Sequence, residues 1–352
     1  MARAVRRLAG AQRPLIVTGS GILWADAAED LRAFVEATGI PFFTTPLSRG
    51  VVPEDHPLAF INARSTAFRE ADVVLFIGTR FNYIIGFARP PRFSAEATFI
   101  QVDIEPQELG WNRRVDIGLV GDAKVVLQQL VAEARGKFHG ELPWVTHLRD
   151  VHERKGRETE ERMASDALPI HPLRLCKEVR DFVSRETIVV ADGQEIMLFA
   201  RQSVPTYYPG HRLNAGALGC MGVGVPYGIG AKVARPDRPV LVLHGDGSFG
   251  INGMEMSTAV RHNIPIVVVV SNNGGWAAGG RGYPGRDIGH LRYDKMFEAV
   301  GCHAEFCERP EEIKPALERA FASGRPAIVN VMTDTLARAA TAAFSGWAGS
   351  SI

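Results

Sequence analysis

An acidic residue between two glycines, and a pair of asparagines further along the chain, have types and spacing suited to metal chemistry. Gly245, Asp246 and Gly247 follow the apolar run PVLVLH, and Asn272 and Asn273 follow a second run, IPIVVVVS. Carboxylate and amide oxygens suit Mg²⁺, which keeps phosphate oxygens and water in its remaining positions. Glycine lets the main chain approach a phosphate closely. Each segment alone is a turn signal, but the pair predicts a site for Mg²⁺ and a phosphate-bearing ligand.

Both segments lie where predicted strands end. One helix, predicted over about 253–262, separates the two apolar runs, so they are consecutive strands of a parallel sheet. Such strands often lie side by side, and open α/β sheets bind ligands at the edge where the strands end. We therefore expect the side chains of Asp246 and Asn273 to converge at that edge.

Strands alternate with helices along the rest of the chain. Continuous Val, Ile and Leu runs predict strands buried on both faces, and hence parallel sheets covered by helices. The predicted strands are PLIVT, PFFTT, DVVLFIGT, TFIQVDI and IGLV in the first half, and TIVVADG, PVLVLHG, IPIVVVVSN and AIVNVMTD in the second. The predicted fold class is therefore α/β, with two doubly wound parallel-sheet domains.

A charged segment separates the two predicted domains. Residues 1–135, with a helix over about 26–38, form the first domain, and residues 169–335 form the second. Residues 136–168, which include HERKGRETEER, read as a charged helical linker. Residues 336–352 are left as a C-terminal tail rich in small residues.

Composition excludes several classes of protein. With 40 basic and 39 acidic side chains the formal net charge is +1, which does not indicate a nucleic-acid partner. The apolar runs are too short for a membrane span, and the basic N-terminus reads as an amphipathic helix rather than a signal peptide. No CxxC spacing is present, so we expect reduced thiols in the cytoplasm and no zinc site; the cysteines are Cys176, Cys220, Cys302 and Cys307.

The spacing of GDG and NN resembles the fingerprint of thiamine-diphosphate-dependent enzymes. The resemblance implies thiamine diphosphate and Mg²⁺ as cofactors, with the metal held by Asp246, Asn273 and the carbonyl oxygen of Gly275. It also implies that the main chain around Ser248 and Phe249 faces the diphosphate. The two predicted domains then correspond to the family's central Rossmann-like domain and its diphosphate-binding domain.

The glycine-rich segment LGCMGVG (218–224) also resembles a family feature. The resemblance implies that the carbonyl of Gly219 accepts the cofactor's aminopyrimidine amine, and that Met221 supports the bent cofactor. Ordinary core packing is the alternative role for this methionine. The family's catalytic Glu belongs to an N-terminal pyrimidine-binding domain, and no Glu of this chain matches it, so the catalytic residue is unknown. The chain is then either a subunit whose partner chain carries the pyrimidine domain or a fragment of a longer protein; we expect such a partner chain, in a homo- or hetero-oligomer.

Within the family, VDIEPQELGWNRRVDIGLVGDA and GMEMSTAVRHNIPI resemble oxalyl-CoA decarboxylase and 2-hydroxyacyl-CoA lyase most. In the decarboxylases the corresponding strand ends bind an ADP activator, which would involve Asp103 and Asp122. Both aspartates are equally suited to capping main-chain N–H groups.

Arginines and a glycine-rich loop are the candidates for substrate recognition. CoA phosphates need cations, for which the candidates are Arg64, Arg80, Arg89 and Arg92, although solvation of the surface is the alternative for each. The loop 274–289 is a candidate lid over a CoA thioester, with Trp276, Tyr283 and Arg286, and the tail 336–352 resembles a second lid.

The resemblance implies a carbon–carbon lyase that splits a 2-hydroxyacyl-CoA into a carbonyl compound and formyl-CoA. The alternative enzymes are oxalyl-CoA decarboxylase and a carboligase similar to acetolactate synthase. An alternative of another class is a non-catalytic subunit that binds the cofactor or a nucleotide and regulates a partner.

Overall fold

The structure, a computed structural model, describes residues 1–280 and 282–339. These residues form two compact units. The first unit contains residues 1–157 and 206–210, and the second contains residues 158–205 and the described part of the chain from residue 211. Each unit has one parallel sheet with helices, which confirms the predicted α/β class with two parallel-sheet domains. The domain limits predicted from the sequence stay a prediction.

The sheet of the first unit has the order β2-β1-β3-β4-β5, with every neighbouring pair parallel. The strand order reverses between β1 and β3, which is the ordinary ligand-binding point of such sheets. The five predicted strands are all present: β1 (Pro14–Thr18), β2 (Phe42–Thr44), β3 (Val73–Ile77), β4 (Thr98–Asp103) and β5 (Ile117–Val120).

Helices flank this sheet. They are α1 (Ala2–Ala9), α2 (Gly21–Trp24), α3 (Ala28–Thr38), α4 (Arg64–Glu70), α5 (Ala123–Ala134) and α6 (Pro143–Met163). The helix predicted over 26–38 begins at Ala28 and ends at Thr38. It is followed by Gly39, whose φ of 67° is a left-handed conformation that glycine adopts easily. The long helix α6 lies in the segment predicted as a charged helical linker, and the limit between the two units falls within it.

The sheet of the second unit has the order β10-β11-β9-β8-β6-β7, again parallel throughout. Its strands are β6 (Ile188–Asp192), β7 (Arg212–Leu213), β8 (Val240–Gly245), β9 (Val267–Asn272), β10 (His303–Cys307) and β11 (Ala327–Met332). The four predicted strands are central, whereas β7 and β10, which the sequence did not indicate, form the two edges. The edges are short or only partly buried, so their sequences lack a long apolar run.

Hydrophobic clusters pack on both faces of the second sheet. Alternate residues of β9 point to opposite faces: Val267 and Val269 join one cluster, and Val268 and Val270 join the other. The helices that cover the sheet are α7 (Pro172–Phe182), α8 (Glu195–Ser203), α9 (Gly224–Ala234), α10 (Asp246–Asn252), α11 (Met256–Arg261), α12 (Tyr293–Val300) and α13 (Pro310–Ala322). The buried β9 thus fixes the position of the polar residues that follow it.

Two further findings bear on the predicted environment of the protein. Among the described residues, no helix is both long enough and apolar enough to cross a membrane. The four cysteines are unpaired, with Cys220 exposed and the other three buried.

Candidate functional site

Asp246 is the first residue of α10 and is almost completely buried. Its Oδ1 accepts a hydrogen bond from the main-chain N–H of Gly247 at 2.9 Å. Its Oδ2 accepts from the N–H groups of Gly274 at 2.7 Å and of Gly275 at 3.2 Å. Burial raises the pKa of this carboxyl to about 6, and the main-chain N–H groups act in the opposite direction. The carboxylate therefore holds the start of the loop that follows β9.

The amide of Asn273 faces the same carboxylate. Its inward-facing atom lies 2.9 Å from Asp246 Oδ1 and 2.9 Å from the carbonyl oxygen of Gly275. With nitrogen inward, the amide donates a hydrogen bond to each of the two oxygens, and the arrangement needs no cation. With oxygen inward, three oxygens converge at the spacing of about 3 Å that adjacent ligands have around an octahedral Mg²⁺. The second arrangement needs a cation, so this set of atoms fits a magnesium ion.

Sheet geometry explains why these residues meet. Strands β8 and β9 are neighbours, and Gly245 is paired with Ser271 in their register. Asp246 and Asn273 therefore follow the ends of adjacent strands, as the sequence predicted. Among the described residues, no group of three or more His, Cys, Asp or Glu side chains is placed to hold a metal ion. The candidate cation site instead combines one carboxylate, one amide and one main-chain oxygen.

The candidate diphosphate segment, Gly245–Phe249, packs against aromatic side chains. Phe249 is buried, with its ring 5.2 Å from the ring of Tyr293 and 5.2 Å from that of Phe297. On Gly247 a Cβ would lie 3.1 Å from the indole of Trp276. The indole therefore packs directly on the glycine main chain, and a larger residue at this position would displace it.

A buried group of side chains lies beside this segment, and the sequence did not predict that its members, Asp192, His244 and Ser248, contact one another. His244 Nδ1 is 2.8 Å from Ser248 Oγ, and Nε2 is 3.5 Å from Asp192 Oδ2. Burial lowers the pKa of His244 to about 4, although the neighbouring Asp192 carboxylate opposes the shift. The sequence does place a polar residue, Asp192 or His244, near the end of each of the two predicted strands TIVVADG and PVLVLHG, which was the available signal for this group.

The candidate pyrimidine segment is exposed. Leu218 is 88% exposed and Met221 is 43% exposed, so Met221 is not a core residue of this chain. Gly219 has a φ of 65°, which favours glycine. The segment is tied to α10, because Asn252 Nδ2 donates to the carbonyl oxygen of Gly222 at 3.0 Å. Its apolar side chains are therefore available to a ligand or a partner.

The candidate lid loop, 274–289, folds back on itself as a short hairpin. The N–H of Trp276 donates to the carbonyl oxygen of Arg286 at 2.8 Å, and Arg286 Nε donates back to the Trp276 carbonyl at 3.4 Å. The Arg286 guanidinium lies 5.7 Å from the ring centroid of Tyr283, which is 61% exposed. The three predicted lid residues are therefore brought together in one hairpin.

The chain that follows β11 contacts this loop. The N–H of Gly279 donates to the carbonyl oxygen of Thr335 at 2.7 Å. Further along, the N–H of Ala339 donates to Glu195 Oε2 at 2.8 Å. Ala339, in the first part of the predicted tail, thus contacts α8 of the same unit, whereas residues 340–352 lie outside the described residues.

The two candidate nucleotide aspartates of the first unit act as caps in this structure. Asp122 Oδ1 accepts from the N–H groups of Lys124 at 2.9 Å and Val125 at 3.2 Å, which makes it the N-cap of α5. Asp103 Oδ1 accepts from the N–H of Glu105 at 3.0 Å. The alternative role given to both residues by the sequence is therefore present.

The four candidate arginines do not form one cluster of contacts. The guanidinium groups of Arg64 and Arg92 lie 5.0 and 5.7 Å from the ring centroid of Phe68. The other two have separate partners: Arg80 Nε lies 3.1 Å from Glu108 Oε1, and Arg89 Nε donates to the carbonyl oxygen of Asn112 at 2.9 Å. The structure therefore brings Arg64 and Arg92 together around one aromatic ring.

Comparison with known proteins gives matches over both units. The family described as "Thiamine pyrophosphate enzyme, central domain" matches residues 1–130, and "Thiamine pyrophosphate enzyme, C-terminal TPP binding domain" matches residues 193–331. The second match includes both sides of the candidate cation site and the glycine-rich segment 218–224.

The similar curated proteins are named for three different enzyme activities. An acetolactate synthase large subunit of Mycobacterium tuberculosis is 39% identical over 94% of this chain and 61% of its own length. A 2-hydroxyacyl-CoA lyase of Arabidopsis thaliana is 36% identical over 96% and 62%. An oxalyl-CoA decarboxylase of Escherichia coli is 34% identical over 95% and 61%. The chain thus spans about three fifths of the length of these relatives.

Proposed function

We propose, on the premise that this chain belongs to the thiamine pyrophosphate enzyme family, that its second unit binds thiamine diphosphate through one Mg²⁺ ion. The membership confirms the resemblance predicted from the GDG and NN motifs. The observation that carries the proposal is the convergence of Asp246 Oδ1, the Asn273 amide and the Gly275 carbonyl at 2.9 Å spacings. With the oxygen of the Asn273 amide facing inward, three oxygens at this spacing repel one another unless a cation lies between them.

The residues of this chain would bind and orient the cofactor. Thiamine diphosphate, when bound, supplies a nucleophilic carbon and an electron sink for breaking or forming a bond next to a carbonyl group. Asp246, Asn273 and Gly275 would hold Mg²⁺ against its diphosphate, and the main chain of Gly245–Phe249 would contact the phosphate oxygens. Gly219 and Met221 would contact its other end.

We assign the activity to a 2-hydroxyacyl-CoA lyase, with oxalyl-CoA decarboxylase and acetolactate-type carboligase as alternatives. The segments VDIEPQELGWNRRVDIGLVGDA and GMEMSTAVRHNIPI support the CoA branch. The identities of 39%, 36% and 34% to the three kinds of relative are too similar to separate these activities. The exposed Tyr283 in the hairpin with Trp276 and Arg286 supports a loop that contacts substrate.

CoA recognition would involve the first unit. Arg64 and Arg92 lie together at Phe68, where two guanidinium groups supply cations for phosphates. The reversal of strand order between β1 and β3 gives the same unit an edge suited to a nucleotide, such as the adenosine part of CoA or ADP.

A pyrimidine-binding domain with the family's catalytic Glu would come from a partner chain. The exposed Leu218 and Met221 support such a partner, because they place apolar side chains beside the candidate cofactor site. We therefore expect the active form to be an oligomer.

Three substrate assays test the activity. The chain is mixed with the N-terminal domain of a related 2-hydroxyacyl-CoA lyase, thiamine diphosphate and MgCl₂, and then given formyl-CoA with an aldehyde, oxalyl-CoA, or pyruvate. The lyase assignment expects a 2-hydroxyacyl-CoA to be detected by mass spectrometry. It forms when the formyl carbon bonds to the aldehyde carbon, the formyl C–H bond breaks and a proton is added to the aldehyde oxygen, so its mass is the sum of the two reactants. Consumption of pyruvate, with both CoA esters unchanged, would contradict it in favour of the carboligase.

A further inference from the structure

Asp192 and His244 are direct partners across adjacent strands. They are paired in the register of β6 and β8, and their side chains are 2% and 1% exposed. The carboxylate is also bound to main chain, because Oδ1 accepts from the N–H of Gly193 at 2.6 Å and Oδ2 accepts from the N–H of Gly224 at 2.8 Å. Asp192 therefore joins the end of β6 to Gly224, the residue that begins α9 and ends the segment 218–224.

The imidazole of His244 continues this connection to the GDG segment. Nε2 lies 3.5 Å from Asp192 Oδ2, and Nδ1 lies 2.8 Å from Ser248 Oγ. The Ser248 hydroxyl is in turn 3.1 Å from the carbonyl oxygen of Gly245. One buried side chain thus bridges the two segments that would hold the two ends of thiamine diphosphate.

Gly224, His244 and Asp192 are packed so closely that none of them can move far without displacing another. A Cβ on Gly224 would lie 2.5 Å from His244 Nε2 and 3.1 Å from the Cβ of Asp192, so no larger residue fits there without movement. The end of the segment 218–224 therefore rests directly on the imidazole, and a displacement of the ring would be transmitted to it.

We propose that His244 is a positioning residue, which with Asp192 sets the separation between the segment 218–224 and the segment 245–249 for one molecule of thiamine diphosphate. The inference rests on the proposed function. An apolar side chain of similar volume would fill the same space, but it would leave Ser248 Oγ and Asp192 Oδ2 without this partner. The hydrogen-bonding atoms of the ring, rather than its volume, should therefore control cofactor affinity.

Calorimetric titration of the chain with thiamine diphosphate in MgCl₂ tests this role. His244→Leu should weaken binding by about 10-fold, the effect of losing the buried hydrogen bond between His244 and Ser248. His244→Asn places an amide near the position of Nδ1, so it should recover much of the affinity. The matched control is Leu317→Ala, which opens a cavity in the buried core of the same unit and should lower the melting temperature without changing cofactor affinity.

A double-variant cycle then tests whether His244 acts through Ser248. If it does, His244→Leu combined with Ser248→Ala weakens binding much less than the product of the two single effects. Wild-type affinity in His244→Leu, or independent effects in the double variant, would overturn the positioning role while the cofactor assignment stands. Failure of the wild-type chain to bind thiamine diphosphate would overturn the proposed function and this inference together.

Discussion

The side chains of Asp246 and Asn273 approach to 2.9 Å at the ends of two adjacent parallel strands. The same atom of the Asn273 amide is 2.9 Å from the carbonyl oxygen of Gly275. With the oxygen of the amide facing inward, a buried carboxylate beside two further oxygens is unfavourable without a cation, because burial removes the water that would otherwise solvate the charge. This relationship is the physical basis of the proposed metal site.

Replacing Asn273 with Asp should make folding stability depend on Mg²⁺. Asn273→Asp puts a second carboxylate beside Asp246, and the two repel unless a proton or a cation lies between them. We expect a lower melting temperature than wild type in EDTA and a larger increase than wild type on addition of MgCl₂. Asn263→Asp, which adds the same charge at an exposed position, is the control and should show no extra response to Mg²⁺. Equal responses in the two variants would contradict the site.

Much of this site could be predicted from the sequence because it depends on consecutive elements. Strands β8 and β9 are joined by one short crossover, so their adjacency follows from chain order. The buried Val run of β9 and the glycines around Asp246 then place Asp246 and Asn273 at one edge. Most of the predicted strands are buried along all or nearly all of their length, since continuous apolar runs are the clearest sequence signal; β5 is the exception and is largely exposed.

The pairing of Asp192 with His244 could not be predicted in the same way. Strand β7 lies between β6 and β8 in the sequence but at the edge of the sheet, so β6 and β8 pair across an interruption in chain order. Nothing in either apolar run indicates this register. Strand β10 was not predicted for a different reason. Its sequence, HAEFC, forms an edge strand whose residues are mostly only partly buried and include a charged one, so it lacks a continuous apolar run.

A buried set of amides should be important for stability. Asn330 and Asn272 are both 0% exposed; Asn272 Nδ2 donates to Asn330 Oδ1 at 3.1 Å, and Asn330 Nδ2 donates to Asp294 Oδ1 at 3.2 Å. Asn330→Ala removes these two bonds and the bond from Asn330 Nδ2 to the carbonyl oxygen of Leu291 at 3.2 Å, and should lower the free energy of unfolding by about 2–4 kcal/mol in chemical denaturation. The control Asn263→Gly, at an exposed residue with a φ of 51°, should change it by less than about 0.5 kcal/mol. Similar values for both variants would show that the amides contribute little.

Protonation of His171 should destabilise the fold in acid. Its Nδ1 accepts from the N–H of Leu173 at 3.1 Å and so caps α7. Burial lowers the pKa of His171, the charge of Arg162 lowers it further, and Asp334 opposes these effects. The folded pKa is thus below the unfolded value of about 6.5, and the unfolded chain takes up the proton first. The contribution of His171 is complete above pH 6.5 and is lost as the pH falls below it, by at most about 1.4 kcal/mol per pH unit.

The variant His171→Asn tests the predicted direction of the change in stability with pH. Asparagine is a good N-cap that does not titrate, so the variant should match wild type near pH 7.5 and lose less stability between pH 6.5 and 5. Chemical denaturation at several pH values measures both slopes. Identical slopes would show that His171 does not titrate on unfolding.

Two truncations compare the contribution of residues 336–339 to ligand binding with that of residues 340–352. Removing residues 336–352 deletes the contact between the Ala339 N–H and Glu195, whereas removing residues 340–352 retains it. We expect both truncations to weaken binding of a CoA ester more than binding of thiamine diphosphate, with the longer deletion having the larger effect. Calorimetry with each ligand measures the difference. Equal losses for the two ligands would contradict a role in CoA recognition.

Calorimetric titration of Asp246 variants with thiamine diphosphate, in MgCl₂ and in EDTA, tests the central claim most directly. The wild-type chain should bind the cofactor in MgCl₂ and lose most of its affinity in EDTA. Asp246→Ala and Asp246→Asn should reduce the affinity in MgCl₂ by about 100-fold or more, because the loss of a buried charge partner costs about 3 kcal/mol. Circular dichroism of both variants checks that the fold is retained. A folded Asp246 variant that binds thiamine diphosphate with wild-type, Mg²⁺-dependent affinity would contradict the account.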